Sequence, residues 1–204
     1  FSMAQAEVDR GGQGKPMFYV STGGRRDQTA VTTANAFAEV GIGGVELSGG
    51  KFDEDYEARV RKLAGNVDVQ IHNWYPPSSP PFVLNLASTD DDLAARSIDH
   101  VRSAIRLAGI VGSRYYGVHS GFLVDPEISS LGSKFPADLT ISREGALELF
   151  CDRVIELGRD ANEHGVSLLI ENNVINQQNI SPSGENPFLC GDPTELVQVL
   201  NETA

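Results

Sequence analysis

Short apolar, β-rich runs alternate along this sequence with helical patterns, and this alternation constrains the fold more than any other feature. The runs cover residues 17–22, 44–47, 67–72, 113–119 and 166–170. Each run is followed by a segment whose apolar residues recur at helical spacing. Strands that alternate with helices in this way indicate βα units built around a parallel sheet. The sequence therefore predicts an α/β fold with five βα units.

The helical segments have recognisable ends. They are predicted at residues 29–40, at 53–63, after Ser88, at 143–164, and from the Asp192–Pro193 pair onward. For the helix after Ser88, the spacing of Ser88 and Asp91 predicts a capping-box-like pair at its first exposed amides. The last run, VSLLI at residues 166–170, is apolar throughout, which predicts a strand in the middle of a parallel sheet.

Five βα units are too few to close a TIM barrel, which needs eight and typically about 250 residues. We therefore expect residues 16–204 to form the N-terminal part of a (β/α)8 TIM barrel, with about the first five units present. Residues 1–15 lack an apolar segment and are predicted to be a flexible tail. The alternative architecture is an open, doubly wound five-stranded sheet.

The bulk composition is that of an ordinary soluble domain. The 204 residues are 40% hydrophobic and carry a formal net charge of −12, and no stretch approaches the roughly 20 apolar residues of a membrane span. This acidity counts against nucleic acid as a partner, because such binding relies on basic surface. Cys151 and Cys190 are too few for a disulfide framework. Together these features predict a cytoplasmic protein with no membrane association.

Three side chains stand at the ends of predicted strands. His72, His119 and Glu171 come at or directly after the third, fourth and fifth runs. In a parallel barrel the carboxyl ends of the strands share one face, so these residues should converge. Imidazole and carboxylate groups suit Zn, Mn or Co ions. Glu171 directly follows an apolar strand, where a carboxylate is costly unless it is paired or bound to metal.

Several segments carry a family resemblance. They are IHNWYPP, FVLNLAS, YGVHSGF, LLIENN and LCGDPTEL, in that order. In order and placement they resemble the xylose isomerase-like TIM barrel superfamily, which contains sugar phosphate isomerases and epimerases and is related to endonuclease IV. The similarity runs from about residue 17 to 204 and so covers nearly the whole chain.

The resemblance implies roles for the three strand-end residues. Glu171 would bind a divalent metal ion (Mn, Zn, Co or Mg) and take part in catalysis; the alternative is a salt-bridged carboxylate at a strand end. His72 and His119 would hold the substrate, as in many sugar isomerases, or bind metal, as in endonuclease IV. A purely structural histidine is the alternative at either position.

Three further residues are candidates for substrate binding. Glu46, near the end of the second strand, resembles an acidic residue that many sugar isomerases use for substrate contacts, and the alternative is a surface ion pair. Trp74 lies in the third loop and would form an apolar wall for a sugar ring, or else pack in the core. Asn173 would contact substrate, or else cap a loop.

The function that follows is a metal-dependent sugar or sugar-phosphate isomerase or epimerase, acting by proton transfer beside a carbonyl. Its partner would be a small carbohydrate, and a homo-oligomer is possible. The alternatives are an endonuclease IV-like zinc phosphodiesterase and a non-catalytic binding protein on the same fold. The superfamily takes further ligands from later strands, namely an Asp with a His three residues on, another His and a closing Glu. None of these is present, so the metal ligands and the acid–base pair are incomplete in this chain.

Overall fold

The computed structural model describes residues 18–130, 139–175, 177–180, 184 and 186–203. The predicted flexible tail, residues 1–15, lies outside the described residues, as does Met17 of the first predicted strand.

Within these residues, five short strands alternate with five α-helices. In chain order they are β1 (Val20–Ser21), α1 (Ala30–Glu39), β2 (Gly44–Leu47), α2 (Tyr56–Ala64), β3 (Asp68–His72), α3 (Asp91–Val111), β4 (Tyr115–His119), α4 (Arg143–Glu163), β5 (Ser167–Glu171) and α5 (Pro193–Thr203). Short 3-10 turns occur at Ile128–Ser130 and Gln177–Asn179. None of the helices in the described part of the chain is long and apolar enough to cross a membrane.

The strands form one sheet in the order β1-β2-β3-β4-β5, and all neighbours are parallel. A doubly wound sheet reverses its strand order at a switch point. No reversal occurs among the described strands, because each one pairs with the next along the chain. The topology is therefore that of consecutive βα units of a (β/α) barrel, as predicted, and the doubly wound alternative is wrong.

Most strand bounds were predicted closely, but β1 is only Val20–Ser21, much shorter than the predicted run of residues 17–22. β2 has the predicted bounds, and β3 and β4 are slightly shorter than the patterns indicated. Whether β5 has a central position stays a prediction, because β5 pairs with β4 on one side and the described residues include no further strand for its other side. Leu169 of β5 is 42% exposed.

Helices pack on the sheet through apolar stripes. Along α4, buried side chains recur every three or four residues, which is the spacing of one helical face; they are Leu147, Phe150, Val154, Leu157 and Ala161. They join one core with fully buried strand residues such as Leu47, Ile71 and Tyr116. This packing holds the strand ends, and the loops that follow them, in fixed positions.

The start of α3 differs from the predicted capping box. Asp90 is the N-cap residue, and its side-chain oxygen accepts a hydrogen bond from the Leu93 amide at 2.8 Å. The Ser88 hydroxyl instead accepts from the Asp90 amide and donates to Asp125. The capping role predicted for Ser88 and Asp91 is therefore wrong, because the chain enters the helix two residues later than Ser88.

A cluster of rings packs the loop after β3 against α3. Trp74 stacks on His100, with ring centroids 5.0 Å apart and an interplanar angle of 16°. Phe82 meets Trp74 edge-on at 4.8 Å, and the Arg96 guanidinium lies 4.3 Å from the Phe82 centroid. His100 is 8% exposed, and its Nε2 donates to the main-chain oxygen of Asn73 at 3.1 Å. The cluster ties the segment following His72 to a long helix.

Removing the α3 cap should destabilise the protein. We expect Asp90→Ala to lower the free energy of unfolding by about 1 kcal/mol, because the Leu93 amide loses its acceptor. Urea denaturation followed by circular dichroism would measure the change. Asp92→Ala, at an exposed first-turn carboxylate that is not the N-cap residue, is the matched control and should cost less. Equal losses in the two variants would contradict the assignment of the cap.

The buried His100 should make stability depend on pH. Burial lowers the pKa of His100 from its ordinary value of 6.5, and the hydrogen bond to Asn73 opposes this only partly. Below pH 6.5 the unfolded chain therefore binds a proton that the folded chain excludes, so stability falls as the pH falls. The slope that His100 contributes approaches about 1.4 kcal/mol per pH unit at most.

Denaturation midpoints between pH 7 and pH 5 would test this. We expect His100→Phe to flatten the curve, whereas His164→Gln, at an exposed histidine that ends α4, should leave it unchanged. An identical pH dependence in His100→Phe and the unmodified protein would refute the explanation.

Candidate functional site

Four ionisable side chains gather at the carboxyl ends of neighbouring strands. His72, His119 and Glu171 are the last residues of β3, β4 and β5, and Glu46 is the third residue of β2. Pairing sets His119 beside Glu171 in adjacent strands. The predicted convergence of the three strand-end residues is present in the structure.

His72 is the centre of the group. Its Nε2 lies 2.6 Å from Oε2 of Glu171, which is a hydrogen-bond distance, and its Nδ1 lies 3.7 Å from Oε1 of Glu46. A carboxylate oxygen accepts in a contact of this kind, so Nε2 of His72 is the donor. The His72 and His119 rings meet edge-on with centroids 5.2 Å apart. One imidazole thus stands between two carboxylates and against a second imidazole.

The glycine opposite His72 makes room for the ring. In the sheet register His72 pairs with Gly117 of β4. A methyl group on Gly117 would lie 3.1 Å from Cδ2 of His72, which is closer than ordinary side-chain contacts. The absence of a side chain at Gly117 therefore allows the imidazole to approach the neighbouring strand closely.

Electrostatics favour a neutral second imidazole. Burial lowers the pKa of His119 from 6.5, and the neighbouring His72 acts in the same direction. The carboxylates of Glu171 and Glu46 oppose this lowering. Because desolvation is the largest cause, His119 should be uncharged at neutral pH and able to offer a lone pair. A neutral imidazole is the form that binds metals.

The donor set fits a divalent metal ion. One ligand atom from each of His72, His119 and Glu171 lies within 4.8 Å of the other two. The Nδ1 atoms of both histidines are buried and have no hydrogen-bond partner among the described residues. A buried nitrogen without a partner is unfavourable. Two imidazoles and a carboxylate suit Zn, Co or Mn better than Mg, which prefers oxygen ligands.

Trp74 and Asn173, which were also predicted to contact the substrate, make their contacts outside the strand-end group. The Trp74 ring packs in the cluster with Phe82 and His100, next to the core. Asn173 is 7% exposed, and its amide nitrogen lies within hydrogen-bond distance of the main-chain oxygens of Ser120, Gly121 and Leu189. Asn173 therefore joins the loops that follow β4 and β5. A substrate contact by Trp74 or Asn173 stays a prediction.

Two asparagines that carried no predicted role hold the neighbouring loops. Asn85 is fully buried, and its Nδ2 donates to the main-chain oxygens of Phe122 and Val124 at 3.2 and 3.1 Å. Its Oδ1 accepts from the Phe122 amide at 2.9 Å. Asn73 directly follows His72 and has a positive φ of 35°. Both asparagines lie in segments that carry the family resemblance, Asn73 in IHNWYPP and Asn85 in FVLNLAS, but neither segment indicates these contacts.

A groove of about 730 Å³ lies elsewhere, between α4 and α5, and is lined by none of the four site residues. Its walls carry the carboxylates of Glu144, Glu148, Asp152 and Glu202. The strand-end group therefore remains the candidate functional site.

Comparison with known proteins gives a family. The model of the xylose isomerase-like TIM barrel family matches residues 34–202. None of the curated proteins compared with this chain matches it.

Solved structures share the fold. A D-tagatose 3-epimerase-like protein superposes with a TM-score of 0.64 at 17% identity over 91% of this chain. A D-psicose 3-epimerase from Clostridium cellulolyticum, solved with D-tagatose, gives 0.57 at 15% identity over 87%. The TTHB071 protein from Thermus thermophilus, soaked with ZnCl2, gives 0.53 at 20% identity over 86%.

The matches cover 60%, 55% and 59% of those three chains, so this chain spans less than two thirds of their length. Identities this low establish a common fold. The family match covers most of the chain and agrees with the order of the strands. The chain belongs to the xylose isomerase-like TIM barrel family.

Proposed function

We propose that this chain carries part of the active site of a divalent-metal-dependent isomerase or epimerase of sugars or sugar phosphates. The observation that carries the proposal is the hydrogen-bonded contact of His72 with Glu171, with His119 beside them at the strand ends. The similar structures described as a D-tagatose 3-epimerase-like protein and a D-psicose 3-epimerase support a carbohydrate substrate.

In this proposal Glu171, His72 and His119 hold the metal ion. When bound, a divalent ion would polarise the substrate carbonyl as a Lewis acid. Glu171 has a side chain that is 48% exposed, so its carboxylate can reach a ligand at the mouth of the site. Glu171 would accept the proton from the carbon next to the carbonyl.

His119 and other residues would bind and orient the substrate. Burial keeps His119 neutral, so when one ring nitrogen binds the ion the other carries a hydrogen that can be donated to a sugar hydroxyl. Glu46 lies on the Nδ1 side of His72 with its side chain 24% exposed, where its oxygens can accept bonds from hydroxyl groups. Trp74 and Asn173 remain proposed substrate contacts, but both are engaged with other parts of the chain.

A second candidate is an endonuclease IV-like metal phosphodiesterase. The observation in its favour is that both histidines, and not only Glu171, lie within reach of a single ion. The net charge of −12 counts against it, because DNA binding depends on neutralising phosphates. Salt-dependent binding to an abasic duplex would favour this candidate over a sugar isomerase.

The metal can be tested with Co2+ alone. We expect Glu171→Gln to weaken Co2+ binding by at least about tenfold, because the substitution removes a metal ligand. Loss of a residue that only orients a ligand already weakens metal binding by about that factor. Isothermal titration calorimetry and the visible spectrum of bound Co2+ would measure the loss. Glu39→Gln, at an exposed carboxylate that ends α1, is the matched control. If the unmodified protein does not bind Co2+, the proposed metal site is wrong.

The chemistry can be tested by hydrogen exchange on candidate sugars. With D-tagatose or D-psicose in D2O, we expect deuterium to appear at a carbon beside the carbonyl. Glu171→Gln should slow this exchange by about 10²–10⁴-fold, the range for loss of a general base. Exchange at an equal rate in both proteins would remove Glu171 as the base. Sugar binding without exchange would favour the non-catalytic alternative.

A further inference from the structure

We infer that Asn73 is a positioning residue that fixes the two imidazoles of the site relative to each other. The inference deepens the proposed function, on which its consequence for metal binding rests. Asn73 follows His72 directly, and its polar groups contact β4 on both sides of Val118. No other residue in the described part of the chain adjoins one of the two histidines and bonds to the main chain of the other.

The main chain of Asn73 is bonded on both sides. Its amide donates to the Gly117 carbonyl at 2.6 Å, which extends the pairing of β3 with β4 by one residue. Its carbonyl oxygen accepts from the Tyr116 hydroxyl at 2.9 Å and from His100 Nε2 at 3.1 Å. Tyr116 is fully buried and His100 nearly so. Buried donors of this kind are costly to leave unpaired, which makes the position of this carbonyl well defined.

The side chain of Asn73 reaches the second histidine. Its Oδ1 accepts from the main-chain amide of His119 at 3.4 Å, a long hydrogen bond. His119 is the last residue of β4, and the loop that follows begins with Ser120. The bond therefore closes a bridge from the residue after His72 to the backbone that carries the His119 ring.

The backbone conformation explains why an asparagine stands there. A φ of 35° lies in the left-handed region, which side chains with a Cβ rarely adopt and which asparagine tolerates better than most. The turn takes the chain out of β3 directly after His72, so the ring stays against Gly117 while the main chain leaves the strand. Strained residues of this kind concentrate at functional sites when the surroundings hold them firmly.

Glycine at this position separates the two contributions of Asn73. Asn73→Gly adopts the same φ without strain and retains the main-chain bonds, but it removes the acceptor for His119. We expect the His119 backbone to relax and the two rings to lose their fixed separation. Asn73→Asp retains an oxygen in the same place and should restore the His119 contact. Asn66→Gly, in the exposed turn after α2, is the control for adding a glycine.

The four histidines of the chain make the test direct. Protein labelled with 15N only in histidine gives four backbone amide signals and four sets of ring signals by nuclear magnetic resonance. We expect Asn73→Gly to shift the His119 amide signal and to speed its hydrogen exchange at least about tenfold. The ring nitrogen signals of His72 and His119 should shift as well, while those of His164 stay in place. Asn73→Asp should return the His119 amide towards its original rate.

Co2+ binding measures the consequence for the site. We expect Asn73→Gly to weaken Co2+ binding on the order of tenfold, as for other residues that orient metal ligands, and Asn66→Gly to leave it unchanged. Two results would overturn the inference: unchanged ring signals of His72 and His119 in Asn73→Gly, or shifted ring signals with unchanged Co2+ affinity. If the unmodified protein binds no Co2+ but the ring signals still move in Asn73→Gly, the proposed metal is wrong and the positioning role of Asn73 is supported.

Discussion

The register between β3, β4 and β5 is the constraint on which the whole site depends. His72 is set beside Gly117, and His119 beside Glu171, by main-chain pairing alone. Side chains in a strand alternate between faces, so a slip of one residue would turn an imidazole away from its partners. The hydrogen-bonded contact of His72 with Glu171 joins the first and last of these strands across the one between them. Backbone pairing therefore determines which side chains can meet in the site, and the contacts among those side chains depend on it.

The loops beyond the strand ends reinforce this register with amide side chains. Asn85 joins the loops that follow β3 and β4, and Asn173 joins those that follow β4 and β5. Each is buried, and each satisfies main-chain groups that lie outside the sheet: Asn85 both donates and accepts, whereas Asn173 donates from its amide nitrogen. These loops lie beyond the last main-chain hydrogen bonds of the sheet, and the asparagine side chains fix their positions next to the ionisable groups.

Much of the architecture was predictable because it depends on local periodicity. The bounds of β2 and the convergence of His72, His119 and Glu171 follow from strand pattern and from parallel topology. Contacts between distant residues were not predictable in the same way. The bond from Asn73 to the His119 amide joins positions 46 apart, and the stacking of Trp74 on His100 depends on where α3 packs. An asparagine after a strand has no local signal that distinguishes such a bridge from an ordinary turn.

The two kinds of group in the site have unequal surroundings. His72 and His119 lie on strands that have a paired neighbour on both sides. Glu171 ends β5, which has one neighbour among the described strands, and its carboxylate is the most exposed of the group. The imidazoles thus form a preset frame, whereas the Glu171 carboxylate lies at the side of that frame where substitutions can alter its contacts without moving either imidazole. Such a change on one side of a fixed frame is one physical route by which a single fold acquires different reactions.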